Sequence, residues 1–313
     1  MPEANISPQG SGIFLMSKTI EIYQKVTDAI ISKLESAGSW QQLWNVPTPM
    51  SMMGRPYQGI NFMLLSSSKF AIPVFGTYNQ IRKNGGQVKK GEKSEIVVFW
   101  DKIIDKAPGS DKTESKFFLK MYHVFNVAQA DFDEIGQQHI NKICAVSETQ
   151  SHIKSVSAEK IIENMPDPPK IVHDLSDQAS YSRVLDRIRI PEMRFHKSPD
   201  DYFSTLYHEI IHATGHAKRL NRFESYKEFN DSDMNNYSKE ELVAELGAAY
   251  LSCAANLNND LDNSAAYLKG WCSRLKENTS WIVWASKRAE TAADFILNQV
   301  PAEVSSLTQE EAL

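Results

Sequence analysis

The nine residues HEIIHATGH, 208–216, constrain this chain more tightly than any other stretch. Four residues turn an α-helix through about 400°, so His208 and His212 stack on one face about 6 Å apart along the axis. Two imidazoles so placed can grip one ion. Glu209, about 100° round the helix, stands beside that ion rather than on it. There a carboxylate can take a proton from a water that zinc has acidified from a pKa of about 16 to about 7. The pattern therefore demands a helix. The run DDYFSTLYHEIIHATGH is a competent one, with Phe203, Leu206, Ile210 and Ile211 to bury.

Zinc needs a third protein ligand and one open position. The strict His-x-x-Gly-x-x-His extension is absent, because Lys218 stands six residues after His212. His216 follows Gly215, where the helix is expected to end, so its ring leaves the ligand face. The better source is the next helical run, SKEELVAELGAAYL, with Glu240, Glu241 and Glu245. Ser238 and Glu241 have the spacing of a capping box, which gives Glu241 a structural task. Glu245 precedes Gly247, Ala248 and Ala249, small residues that let two helices approach closely. The favoured set is thus His208, His212 and Glu245. The alternative makes Glu241 the third ligand, with Glu245 holding a histidine from behind. Zinc is the expected ion, and other first-row divalent metals suit the same nitrogen–oxygen donors. The upstream run SRVLDRIRIP reads as a strand, either an edge that could align an extended peptide over the metal or a core strand only.

Just over two hundred residues precede this motif, and the charge balance shifts along the chain. Residues 17–127 carry 15 Lys and Arg against 9 Asp and Glu, hence +6; residues 128–313 carry 19 against 29, hence −10. A basic half joined to an acidic half points to two domains with different partners. The 313 residues suffice for two. Nothing approaches the roughly 18 consecutive apolar residues of a membrane span. Three scattered cysteines without a CxxC pair fit a reducing cytoplasm.

Helices are expected over SKTIEIYQKVTDAIISKLESAGS, with Ile20, Val26, Ile30 and Leu34 on one face, and over a short TYNQIRK segment opened by Thr77. Two antiparallel strands come next, around EIVVFW and FFLKMYHVFNV. Residues 131–156 are polar and weakly patterned and serve as the expected linker, a tether or an ordered bridge. Ser157 opens a short helix, and KIVHDL is a strand. The tail SWIVWASKRAETAADFIL forms a helix burying Ile282, Ala285, Ala289, Ala292 and Ile296. The expected class is α+β. A disordered leader (1–16, with Met16 an alternative start) precedes a basic α+β domain (17–130), the linker, and a metallopeptidase domain (157–313).

Sequence-tolerant binding of single strands needs cations for phosphates and flat side chains for bases. Arg82, Lys83, Lys89, Lys90 and Lys93 cluster around two turns, with Trp40, Trp44, Tyr57 and Tyr78 nearby. Tyr57 and Tyr78 are the expected base contacts, whereas Phe99, Trp100 and Phe125 read as core.

PYQGINFMLL, TYNQIRKNGGQVKKGEKSEIVVFW and YHVFNVAQ resemble the N-terminal domain of the plasmid antirestriction family ArdC, also found at the front of TraC-type conjugative primases. YHEIIHATGHAKRLNR and YSKEELVAELGAAYL resemble that family's zincin-like metallopeptidase domain. The resemblance runs from about residue 17 to 297. It implies single-stranded DNA binding, a metalloprotease fold, and protection of conjugating plasmid DNA from host restriction. Together the two halves suggest a cytoplasmic HExxH zinc protease acting on proteins held on DNA. The rival is a non-catalytic protein that shields single strands and uses its metal for structure alone. A nuclease would want a second metal that one His-His-Glu site does not supply.

Overall fold

The computed structural model describes residues 8–37, 48–66, 70–106, 113–151, 157–174, 178–226, 233–257 and 265–298. Trp40 and Trp44 lie outside them. The fold is α+β. Helix α1 (Pro8–Ala37) begins inside the segment expected to be a disordered leader. Its Val26, Ile30 and Leu34 are fully buried, but Ile20 is exposed, because the helix outruns the body it packs on. Strand β1 (Met50–Ser51) and helix α2 (Ile60–Ser66) lead to β2 (Val74–Thr77) and α3 (Tyr78–Lys83). Thr77 caps α3 with the reciprocal Thr77/Gln80 box, and Gly85, at φ 73°, carries the chain into β3 (Gly86–Val88).

The long strands β4 (Glu95–Lys106) and β5 (Thr113–Asn126) pair antiparallel, as expected. They complete a four-stranded sheet of order β1-β2-β5-β4, while β6 (Ala130–Phe132) pairs with β3. Asn61 fixes α2 to this sheet, its side-chain amide donating to the Val98 carbonyl at 2.8 Å and accepting from the Val98 N–H at 2.8 Å.

Most of the expected linker is helix α4 (Glu134–Ser151). The sequence looks polar there because three closely spaced side chains carry its apolar stripe: Ile140, Ile143 and Cys144 pack in a cluster with Met50, Met52, Val74 and Ile81. His139 Nε2 lies 2.8 Å from the Met52 carbonyl oxygen and fastens the helix further.

The second half opens with α5 (Ala158–Glu163), capped by Ser157. A three-stranded sheet comes next, in which β7 (Lys170–Asp174) runs parallel to β9 (Arg187–Pro191), and β8 (Ser180–Ser182) lies antiparallel on β9's other side. Of the edge and core readings of this run, β9 fits the core one: it is the central strand, and its apolar residues Ile188 and Ile190 are fully buried. The edge beside the motif helix falls to β8. Four helices complete the fold: α6 (Pro199–Thr214), α7 (Asp233–Ala254), α8 (Ala265–Glu277) and α9 (Trp281–Ile296). Ile282, Ala285, Ala289, Ala292 and Ile296 of α9 are all fully buried.

One hydrophobic core runs through both halves. Val26 and Leu34 of α1, Phe62 and Leu64 of α2, and Val98 and Leu119 of the long hairpin belong to the same buried cluster as α6, α7, α8 and α9. Hydrogen bonds tie the halves as well: Thr27 Oγ1 donates to the Thr279 carbonyl at 2.7 Å, the Gly59 N–H donates to Glu290 Oε1 at 3.1 Å, and Lys287 Nζ donates to Gln58 Oε1 at 3.5 Å.

Candidate functional site

Helix α6 carries the motif. Ser198 caps it by accepting from the Asp201 N–H, and Pro199 opens its first turn. Gly215 ends it, fitted against Phe223, where a Cβ would meet the ring at 2.6 Å. Helix α7 crosses α6 closely because Gly247 has no side chain: a Cβ there would stand 2.5 Å from Ile211 Cδ1.

This contact brings glutamates of α7 onto the motif histidines. His208 Nε2 and His212 Nε2 face each other at 3.1 Å. Glu241 spans them, Oε2 3.4 Å from His208 Nε2 and Oε1 3.4 Å from His212 Nε2. Those three side chains form the metal-competent cluster found among the described residues. Glu245 is not in it; its Oε1 stands 3.6 Å from the other ring nitrogen of His208, Nδ1. The clustering therefore favours Glu241, the alternative third ligand, over the Glu245 assignment. That assignment rested on reserving Glu241 for a capping box, but α7 begins at Asp233, so Ser238 and Glu241 sit inside the helix with no cap to form. His216 stands beyond the helix end, its Nδ1 accepting from the Lys218 N–H at 3.2 Å.

Each motif histidine has a carboxylate behind it. His212 Nδ1 lies 3.1 Å from Glu240 Oε1 and donates to it, since an ionised carboxylate can only accept. Glu240 is buried and also takes hydrogen bonds from Arg222 Nη2 at 2.7 Å and Nε at 3.0 Å. Arg222 in turn donates to Thr214 Oγ1 and the Ile211 carbonyl of α6. Burial alone would raise the Glu240 carboxyl, but Arg222 and His212 outweigh it and hold it at about 2. Burial would likewise discharge His212, yet Glu240 and Glu241 lift its ring to about 9. Glu241 is drawn below the usual carboxylate range by both histidines, against its burial. The cluster thus brings two ring nitrogens and an ionised carboxylate together, a donor set that could hold a divalent cation.

Glu209 lies on the adjoining face of α6, 9% exposed. Burial pushes its carboxyl up, opposed by the two histidines and by a hydrogen bond from the Tyr181 backbone of β8. A buried latch fixes β8 there. Tyr181 Oη donates to Asp186 Oδ1 at 2.8 Å, and the fully buried Arg219 side chain binds Asp186, the Tyr181 hydroxyl and, at 2.7 Å, the Ala213 carbonyl of α6. Sequence reasoning named Glu240 only as a candidate ligand, not as the partner behind His212, and missed Arg222, Arg219 and Tyr181. An arginine close after a helix end was the available signal for the first two.

The amino-terminal cations stand where a ligand could meet them. Arg82, Lys83, Lys89, Lys90 and Lys93 are all exposed, around α3, β3 and the turn after it. Lys89 Nζ donates to the Ala128 carbonyl at 3.2 Å and faces Asp131 at 3.6 Å. Tyr78 is 42% exposed and its hydroxyl accepts from Gln87 Nε2. Tyr57 is corrected: it is buried with Leu65, Phe75, Val97 and Val124 and presents no face to a base. Trp100 is corrected in the opposite sense. It is 55% exposed, because β4 and β5 continue past the body that buries Val98. On the other face of the hairpin Phe99 and Tyr122 meet edge to face at 5.8 Å, with Lys120 Nζ 5.7 Å from the Tyr122 ring centre.

Comparison with known proteins matches residues 157–288 to the zincin-like metallopeptidase family and residues 20–125 to the N-terminal domain of anti-restriction factor ArdC. The chain is 27% identical over 316 residues to a DNA primase TraC of Escherichia coli, covering 93% of this chain but 28% of the primase. It thus spans little more than a quarter of that relative's length. The metal-free crystal structure of the antirestriction protein ArdC from the R388 plasmid is 31% identical, with a TM-score of 0.63 over 88% of this chain and 96% of that one. The manganese(II)-bound structure of the same protein gives the same identity and TM-score over 97% of its chain.

Proposed function

The chain belongs to the ArdC family of antirestriction proteins, and from that membership we propose that it binds single-stranded DNA and hydrolyses peptide bonds in proteins held on that DNA. Its role is to protect incoming plasmid DNA from host restriction during conjugation, in the cytoplasm. Among the described residues no helix is long and apolar enough to cross a membrane.

The observation that carries the hydrolytic reading is the convergence of His208, His212 and Glu241 beside a buried Glu209. Those three side chains would hold the ion, zinc or another first-row divalent metal. When bound, the ion supplies Lewis acidity to the reacting carbonyl. Glu209 takes a proton from the attacking water and hands it to the departing amine, a role its raised carboxyl suits. Glu240 and Glu245 orient the two rings, and Arg222 keeps Glu240 ionised. The edge of β8 offers backbone groups to an extended peptide next to Glu209. The exposed cations Arg82, Lys83, Lys89, Lys90 and Lys93, with Tyr78 and Trp100 as stacking faces, support binding of a single strand with little regard to sequence.

The test compares wild type with Glu209→Ala, metal-loaded, on a protein bound to the same single strand. Wild type should cut slowly in free solution and faster when enzyme and substrate share a strand. Glu209→Ala should lose about 10²- to 10⁴-fold in rate with DNA affinity unchanged. Absence of cleavage under every condition, with plasmid protection surviving Glu209→Ala, would establish the steric shield instead.

A further inference from the structure

The small sheet beside the motif helix carries an arginine without a partner. The strand order β7-β9-β8 leaves β8 with one neighbour among the described residues, and Arg219 ties that strand to α6 through the Tyr181 hydroxyl and the Ala213 carbonyl. Side chains alternate across a strand. Ile188 and Ile190 of β9 are fully buried, and Ile171 and Tyr181, both in register with Ile188, pack on the same core. The opposite face of the sheet therefore carries Arg187, in register with Lys170 of β7 on one side and Ser182 of β8 on the other. Lys170 is exposed there, and Arg187 is half-buried with its Nε enclosed and lacking a hydrogen-bond partner. Nearby arginines are engaged. Arg189 Nε lies 2.6 Å from Asp174 Oδ2, Arg219 binds Asp186, Arg222 binds Glu240, and Arg183 lies 3.6 Å from the Phe223 ring centre. A guanidinium is always charged, and a carboxylate set side-on against Nε and a terminal nitrogen satisfies two of its donors at once.

We propose that Arg187 selects an acidic side chain of the protein substrate, a role that rests on the peptidase reading above. A substrate segment laid along the open edge of β8 extends the sheet by one strand, about 4.8 Å from β8 and so about 10 Å from β9. The substrate residue opposite Ser182 then shares the face that holds Arg187, because cross-strand partners lie on one side of a sheet. Serine is short, so the long Arg187 side chain can lean over it toward an aspartate or glutamate at that place. Arg189 does not compete, since Asp174 of β7 holds it. A neutral side chain there leaves the Arg187 Nε unpaired, and a basic one meets a like charge. Selection thus works as much by rejecting wrong segments as by attracting the right one. The contact stands apart from the reacting carbonyl and is equal in ground and transition states, so it acts on KM rather than kcat.

The experiment uses the full chain loaded with manganese(II), as wild type, Arg187→Gln, Arg187→Glu and Glu209→Ala. The probe is a randomised library of synthetic peptides, and mass spectrometry of the products aligns the residues around each cut. Peptides with Glu, Gln or Lys at the preferred place then give kcat and KM. Wild-type products should show Asp and Glu enriched at one fixed place beside the cut. Arg187→Gln should raise KM for the Glu peptide about tenfold to hundredfold with kcat near wild type. Arg187→Glu should transfer the preference to the Lys peptide, a reversal that a merely structural arginine would not produce. Thermal melts check folding, and Arg187→Gln decides if Arg187→Glu does not fold. No acidic enrichment in the wild-type products, or enrichment that survives in Arg187→Gln, would overturn the role while leaving the peptidase reading intact. Loss of single-strand affinity in Arg187→Gln, with cleavage preference unchanged, would overturn it in favour of a DNA phosphate at this arginine. Absence of any Glu209-dependent cleavage by wild type would overturn the peptidase reading and this role with it.

Discussion

Glu240 and Asp294 are two carboxylates that the fold treats in opposite ways. Glu240 has a guanidinium and an imidazole on its oxygens, and its pKa falls despite complete enclosure. Asp294 on α9 is pushed up to about 6, first by burial and then by the neighbouring charge of Glu290, with Lys287 only partly offsetting both. An unfolded aspartate titrates near 3.9, so the folded state binds this proton more tightly. The carboxylate form then costs stability above about pH 6. That cost fades as pH falls from about 6 to about 4 and is gone below about pH 3, where the side chain is protonated in both states. Asp294→Asn removes the titration. It should stabilise the protein by about 1–2 kcal/mol at pH 7, allowing for the side chain's partial exposure, and by almost nothing at pH 4. Thermal melts of both proteins at the two pH values measure the difference. An equal gain at both would mean that the effect is packing rather than charge.

The pairing of α6 with α7 is the element on which the centre depends, and it hinges on Gly247. Gly247→Val would drive a branched side chain into Ile211, where the helices leave no space. It should cost about 1–3 kcal/mol and weaken metal affinity without altering any proposed ligand. Denaturant titration and metal titration read the two effects separately, and unchanged metal affinity would show that the helices re-pack around the intrusion. The same pair explains what could be read from the sequence. The spacing of His208, Glu209 and His212 is set within one helix, so it was legible, as was the small residue at 247. The rank of Glu241 and Glu245 was not legible, because it depends on where α7 starts and how it rotates against α6. Periodicity likewise revealed that β4 and β5 are strands but not that Trp100 would emerge and Tyr57 would be enclosed, since alternation does not say where a sheet's cover ends. Helix α4 escaped notice because its apolar stripe is three residues wide in a polar run.

Across the whole molecule, DNA affinity should track the exposed cations of the amino-terminal half. Binding to single strands should weaken as salt rises, with a log–log slope of about −0.7 per neutralised phosphate. The double variant Arg82→Glu/Lys90→Glu should flatten that slope by about 1.4 and lower affinity, measured by fluorescence anisotropy over a salt series. An unchanged slope would move the strand to another face, such as the hairpin bearing Trp100 and Tyr122. The linker expected as a tether or an ordered bridge is here mostly helix α4, beside a shared core, so the metal-competent cluster and the exposed amino-terminal cations keep a fixed relation. That core has a consequence during synthesis. Val26, Ile30 and Leu34 of α1 complete their packing only against α8 and α9, more than two hundred residues downstream. At about 5–20 residues per second, the ribosome leaves this apolar stripe waiting for on the order of tens of seconds. Until α8 and α9 emerge, the nascent amino-terminal half carries that stripe without its final cover.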